Sequence, residues 1–493
     1  MMLFFLYATL KKESRAVTEQ ITRCAAAFLC FCSVAAPALA AGELDDVLSG
    51  FDTPQAEETK PADELGDVLS GFDEQPAAQQ DISETTALLP AWLQLFGELT
   101  LATSWNYTQD APKAGQADFR DLSMLRTTAS LGADIKQGSW RARISGHGFY
   151  DAVYSVQGRD QYTGKLLDEY EQELEFDEVY FSTSLTDTLD VKLGRQVVVW
   201  GKADNVRVTD ILNPLDNRTP GMVDIKYRRL PVIMSKLDYY IGNWNINGLI
   251  LHEVRFDKQP VFNSDFFPGT TPRPAEDIPS DFALDNKQYG LAVNGIFSGW
   301  DLSLYQAWVY DNRAHLSTEN GYSQLIHNRV SMTGFTTNMA SGNWLFKAEG
   351  AWWSGLEFAA TDSETFSRID LMAGIEYTGF SETVLSLETV NRHIVHFDPR
   401  LETAPDYSQR DEQQTVFMAT RDFLNDTLTV KLLCSLFGSF GDDGAFERLQ
   451  LDYDLDDHST ITGGIILYQA GDAYAFSEVD NNDRIFLEYS FAF

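Results

Sequence analysis

RIFLEYSFAF, Arg484 to Phe493, ends the chain and decides how the rest is read. Ile485, Leu487, Tyr489, Phe491 and Phe493 fall on one face, while Arg484, Glu488 and Ser490 fall on the other. That period of two is the mark of a strand with two different environments. The same pattern recurs upstream. LTVKLLCSLF places Leu428, Val430, Leu432, Cys434 and Leu436 together, and RIDLMAGIEY sets Ile369, Leu371, Ala373, Ile375 and Tyr377 against Arg368, Asp370 and Glu376. A soluble all-β sandwich would bury the apolar face and wet the charged one. A transmembrane barrel reverses this, with lipid outside and a wet lumen inside.

Three features favour the barrel. The alternating segments run to ten or fifteen residues, enough to cross a bilayer at a tilt. Connections alternate between tight and long, the tight ones near Gln137-Gly138, Thr186-Asp187, Gly242-Asn243, Gly299, Ser341-Gly342, Phe380-Ser381, Asn425-Asp426 and Asp457-His458. Aromatic residues mark many strand ends, among them Trp105, Tyr107, Trp140, Tyr239, Tyr240, Trp244, Trp300, Tyr310, Trp344, Trp352 and Trp353, as an interfacial girdle requires. The spacing predicts an all-β, antiparallel outer-membrane β-barrel of about 18 strands (16–18), with both chain ends in the periplasm. Tyr489, Phe491 and the terminal Phe493 resemble the C-terminal signal by which Gram-negative barrels are recognised for assembly, which makes the assembly machinery and outer-membrane lipid expected partners.

Composition agrees with export. Of 493 residues, 73 are acidic and 37 basic, so nucleic acid is excluded as a partner. No run of about eighteen apolar residues follows position 40, which removes helical spans from the remainder. Lys11, Lys12, Arg15 and Arg23 precede an apolar run, Cys24 to Val34, and then Ala38-Leu39-Ala40, so residues 1–40 read as a secretory signal rather than an anchor. Without them the formal charge moves from −36 to −38, and Cys434 is the one cysteine left. Three parts follow: signal 1–40, leader 41–90 and barrel 91–493.

The leader mixes Asp, Glu, Pro, Ala and Gln and cannot bury enough apolar surface to order itself, so it is expected to be a disordered periplasmic segment. Two decapeptides interrupt it, ELDDVLSGFD (Glu43 to Asp52) and ELGDVLSGFD (Glu64 to Asp73). Leu44, Val47, Leu48 and Phe51, and again Leu65, Val68, Leu69 and Phe72, stand at helical spacing and form one apolar stripe each. Helices this short do not persist alone in water. A doubled, marginal, amphipathic segment suggests docking into a groove of a periplasmic or inner-membrane partner.

The third long connection stands apart. KADNVRVTDILNPLDNRTPG, Lys202 to Gly221, carries mixed charge around an apolar core of Val206, Val208, Ile211 and Leu212. By analogy with trimeric general porins, whose third loop folds inward, Lys202, Asp204, Arg207, Asp210 and Arg218 are candidates for a constriction of mixed charge. The alternative is a loop packed on the barrel mouth for stability. The lumen itself is expected to be wet, its polar faces carrying Glu98, Arg143, Lys347, Glu349, Glu388, Arg448 and Arg484 among others.

Catalytic and metal signals are weak. His393 and His396 are three apart, which in a strand points them to opposite faces. Asp442-Asp443 and Asp454, Asp456 and Asp457 lack the glycine-punctuated spacing of a calcium loop. No G-x-S-x-G or H-E-x-x-H occurs, so no enzyme, metal or cofactor is expected.

LGRQVVVWGKADNVRVTDILNPLD (Leu193 to Asp216), with the acidic leader and its DVLSGF repeats, resembles a Gram-negative outer-membrane family known as domain of unknown function 1302. The resemblance centres on Gly194, Arg195, Gln196, Trp200, Gly201, Asp210, Asn213 and Pro214. It implies an outer-membrane location and a genetic setting beside exporters of the RND/MMPL type and a periplasmic lipid-carrier-like protein. Three functions follow: the outer-membrane channel of an envelope-spanning export route for lipid-like or hydrophobic compounds, a passive diffusion porin, or an enzyme or adhesin on a barrel platform.

Overall fold

The computed structural model describes residues 89–112, 117–223, 227–318, 322–361 and 364–493. Among them, eighteen strands form one antiparallel sheet closed on itself. Its first half is β1 (Leu93–Asn106), β2 (Asp121–Gln137), β3 (Trp140–Asp151), β4 (Gln172–Thr186), β5 (Leu189–Gln196), β6 (Val232–Ile241), β7 (Trp244–Leu251), β8 (Gln288–Phe297) and β9 (Trp300–Tyr310). A small hairpin in the next loop, β10 (His315–Ser317) with β11 (Gln324–Ile326), stands outside the barrel wall. The second half is β12 (Arg329–Ser341), β13 (Trp344–Glu357), β14 (Thr365–Phe380), β15 (Thr383–Val395), β16 (Asp411–Phe423), β17 (Leu428–Phe437), β18 (Gly444–Asp456), β19 (Ser459–Gln469) and β20 (Arg484–Ala492). Each barrel strand pairs with its neighbour in sequence, and β1 pairs with β20 to close the ring.

The short connections fall at all eight predicted places, seven of them with two residues between strands. All tight turns lie at one end of the barrel and all long loops at the other, with the start of β1 and the end of β20 on the turn side. Closure leaves no sheet edge, the condition a strand-built membrane span must meet.

Register fixes the two faces. Ile485, Leu487, Tyr489, Phe491 and Phe493 lie exposed on the outer surface, as do Leu371, Trp300, Trp344 and Trp352, while Arg484, Asp370 and Glu388 are buried inside. Phe493 is clamped to Gly97 of β1 by reciprocal backbone bonds of 2.9 Å, so the terminal aromatic helps seal the barrel. Two of the predicted girdle residues face inward instead. Trp353 donates its ring N–H to Asp370 at 2.9 Å, and Tyr240 pairs in register with the lumen residue Asn245. Trp353 directly follows the outward Trp352, and consecutive strand positions cannot share a face.

The main apolar core sits within the lumen, against expectation. Val198, Trp200, Val206, Val208 and Leu212 from the third loop (197–231) pack on Met234, Leu249, Ala292, Ala307 and Met332 of the inner wall. β5 also ends sooner than its sequence pattern implies, at Gln196, because Val198 and Trp200 turn inward with the loop rather than continuing the ladder. The wet-lumen reading fails over the part of this wall where Gly290, Ala292, Ala307, Met332 and Gly334 of β8, β9 and β12 accept the loop.

Candidate functional site: the loop-filled lumen

Entry of the third loop begins at the β5 terminus. Arg195 bonds Glu175 of β4 at 2.8 Å and Glu253 of the fourth loop (252–287) at 3.0 Å. Gln196 donates to the Met234 carbonyl at 3.1 Å, next to it in the wall. Trp200 stacks on Tyr305 of β9, ring centroids 4.8 Å apart, and lies over Gly290, where a Cβ would sit 3.0 Å from the indole. Gly201 follows at a φ of +92°, and a Cβ there would stand 2.8 Å from a Glu349 oxygen. Only glycine both adopts that conformation without strain and lets the chain wrap the carboxylate.

Two carboxylates then fasten the loop through its backbone. Glu349 of β13 accepts from the amides of Lys202, Ala203 (2.8 Å) and Thr209 (3.3 Å) and from the Thr209 hydroxyl at 3.0 Å. Glu388 of β15 accepts from the amides of Asp204 and Asn205 at 2.9 and 2.8 Å. Ionised carboxylates accepting several backbone N–H groups make charge-assisted bonds of about twice the ordinary strength. Further on, the loop fastens itself. Asn213 accepts from Val198 N at 2.8 Å and donates to the Gln196 and Leu230 carbonyls, and the Pro214 carbonyl accepts from Leu230 N at 2.7 Å. Asp210 pairs with Arg229 at 2.9 Å and reaches back to Trp200 N.

Each of the five charges predicted at a constriction has a partner. Lys202 lies 3.5 Å from Asp301 of β9, and burial lowers its ammonium below the usual range against the pull of that carboxylate. Asp204 meets Lys347 of β13, and Arg207 donates to the Asp210 and Asn213 carbonyls. Arg218 binds Asp216 at 2.6 Å and Glu173 of β4 at 3.0 Å, beneath Tyr170 of the helix α1 (Gly164–Tyr170). Burial opposes ionisation of Asp216, but the hydrogen bonds and charge of Arg218 hold it below the ordinary carboxylate range. The structure therefore brings all five into the lumen as paired groups that hold the loop in place.

Filling is one-sided. Inner residues of β7 to β15, such as Asn247, Ser303, Thr336, Lys347 and Ser386, are buried. On β18 to β20 and β1 to β2 the corresponding positions are half-buried or exposed, including Gln450, Asp452, Thr462, Glu488, Ser490, Glu98, Thr100 and Asp134. Water has a crescent along that wall in the turn-side half of the barrel. Toward the loops the crescent narrows, because Pro220 to Met222 of the third loop and Asp265-Phe266 of the fourth lie against β18 to β20.

The docking stripe of Leu44, Val47, Leu48, Phe51, Leu65, Val68, Leu69 and Phe72 lies outside the described residues. His393 bonds Asp411 at 2.7 Å on the outer side of β15, and His396 lies beyond that strand's end. Sequence reasoning missed the aromatic lumen residues Phe437, Phe446, Tyr468 and Phe486. Their signal was legible, since Phe446 and Phe486 stand in phase with the inward Arg448 and Arg484.

Residues 22–493 match the family model described as Protein of unknown function (DUF1302). No curated protein matches the sequence. Similar solved structures include a BenF-like porin from Pseudomonas fluorescens Pf-5, at TM-score 0.48 and 11% identity over 81% of this chain and 98% of that one. Pseudomonas aeruginosa OccK2 (OpdF), solved in complex with glucuronate, gives 0.46 and 12% over 81% and 97%. Acinetobacter baumannii OccAB1 gives 0.45 and 11% over 81% and 95%.

Proposed function

The chain belongs to the family Protein of unknown function (DUF1302), and on that premise we propose that it is the outer-membrane channel of an envelope-spanning export route for lipid-like or hydrophobic compounds. The observation that carries this reading is the loop-filled lumen, held by Glu349 and Glu388 from two separate strands. A lumen stopped by a fastened loop suits a channel that opens for a delivered cargo better than one that passes solutes continuously. The apolar inner wall supports a cargo with a hydrophobic body. Delivery falls to a periplasmic or inner-membrane partner that engages the leader through its two apolar stripes, and two weak sites on one tether raise apparent affinity through effective concentration.

The test joins Phe51→Asp with Phe72→Asp. The double variant is expected to lose a crosslinked partner and to stop export while the barrel assembles normally; unchanged partner recovery and export would sink the docking reading. A passive diffusion porin is the second reading, favoured by the wet crescent along β18 to β20 and β1 to β2. A large, steady single-channel current from the purified wild-type barrel would establish it.

A further inference from the structure

The third loop accounts for only part of the lumen wall of β17 to β20, where its Pro220 carbonyl accepts from the Tyr468 hydroxyl at 2.6 Å and its Gly221 and Met222 carbonyls accept from Arg448 at 3.2 and 3.1 Å. Phe437, Phe446, Tyr468 and Phe486 come one from each of four neighbouring strands and face inward near the loop end. Phe437 and Phe446 have ring centroids 6.3 Å apart, and Phe446 and Tyr468 are 6.4 Å apart. Arg448 and Arg484 lie among them, both buried. Barrel lumens are usually polar. An aromatic wall set with guanidinium groups is a binding surface in composition, since arginine takes carboxylates and stacks on rings.

The part of that surface around Arg484 and the Tyr468 ring is occupied by the protein's own fourth loop. Asp265 places a carboxylate oxygen 3.0 Å from Arg484 Nη2, and its main-chain carbonyl accepts from Asn482 Nδ2 at 2.7 Å. The adjoining Phe266 ring stands 5.4 Å from the Tyr468 ring, with the Arg484 guanidinium 4.6 Å from its centroid. Arg484 is 3% exposed, and its Nε is held by the Asn482 carbonyl at 3.0 Å. A carboxylate and a phenyl ring, on adjacent residues, thus fill an anionic and an apolar subsite side by side.

We infer that Asp265-Phe266 is an internal stand-in for cargo, and that the Arg484, Tyr468 and Phe446 wall binds a carboxylate joined to an aromatic or alkyl body. The inference rests on the channel reading and names its substrate class. It also gives the opening step a physical cause. A buried guanidinium stripped of its counter-charge is strongly unfavourable, so Asp265 leaves when another carboxylate arrives to replace it. Exchange of one anion for another keeps Arg484 paired throughout and moves the fourth loop off the crescent. Neutral hydrophobes fill the apolar subsite but do not release Asp265.

The test uses the full barrel purified in detergent micelles, with 3-phenylpropionate and decanoate as probes and 3-phenylpropionamide as the neutral control. Asp265→Asn removes the competing charge from a loop position outside the barrel strands. Calorimetric affinity for one or both carboxylates is expected to rise at least tenfold over wild type, with the amide unaffected, and the better probe identifies the body as aryl or alkyl. Phe266→Ala is expected to strengthen binding of the same probe. Equal carboxylate affinity in wild type and Asp265→Asn, or amide binding as tight as the acid, would overturn the site. Bilayer currents separate this from the channel reading. Tighter binding in Asp265→Asn with no current in any variant discards the channel and keeps the site, whereas current that opens without a change in binding discards the site and keeps the channel.

Discussion

The two sides of the lumen share one strand alternation and differ in what covers them. From β7 to β15 the inner face is sealed by the third loop, whose apolar residues meet Ala292, Ala307 and Met332 and whose amides meet Glu349 and Glu388. From β18 through β20 to β2 the turn-side half stays wet, and only the loop-side half is covered, by short contacts from the third and fourth loops. The first cover is a core in the ordinary sense, with buried side chains and satisfied amides. The second is smaller: the Arg484–Asp265 ion pair, side-chain bonds to third-loop carbonyls and a compact apolar cluster around Phe266, Ile466 and Tyr468. A barrel that must both survive and open is served by this division, because local stability follows the density of buried apolar contact.

Removing both carboxylates strikes hardest at that contrast. Glu349→Ala with Glu388→Ala strands five loop amides and one hydroxyl, and at about 1–3 kcal/mol for each buried orphan the loop should leave its wall. Trypsin is then expected to cleave after Arg207 in the folded barrel, where wild type resists. Continued resistance would mean that the apolar face alone holds the loop.

Trp200→Ala should weaken the sealed side less. Loss of an indole buried against Tyr305 and Gly290 removes packing on the order of 3–5 kcal/mol, read as a lower urea midpoint in micelles. A shift within error would place the loop's anchorage elsewhere.

The smallest effect sharpens the contrast without disturbing either side. In a Cys434→Ala background, Ser490→Cys on the wet wall and Ser303→Cys on the sealed wall are both inward by register. A charged thiol reagent is expected to label position 490 at least ten times faster than position 303. Comparable rates would show that water reaches both walls.

Much of this architecture was legible without coordinates. Period-two alternation requires only that one face meet lipid and the other not, so RIFLEYSFAF announced its own orientation, and eight tight turns set the strand count. The motif from Arg195 to Pro214 was visible as a pattern, but its meaning was not. Gly201 looks like any loop glycine until Glu349, 148 positions later, is found where its side chain would be. Lys202, Asp204 and Arg218 read as pore charges because a sequence shows charge without partners, and their partners come from β9, β13 and β4.

The sequence by itself determined most strands and their faces, and their number to within two, because each depends on local periodicity and turn chemistry within a few residues; the pairing of β1 with β20 that closes the ring joins residues at opposite ends of the barrel sequence. Only the tertiary structure decided which half of the lumen is dry, what the third loop's charges bind and that Asp265-Phe266 rests on Arg484 and Tyr468. Those outcomes depend on contacts between groups far apart in the chain, and such contacts are fixed by the geometry of the closed ring.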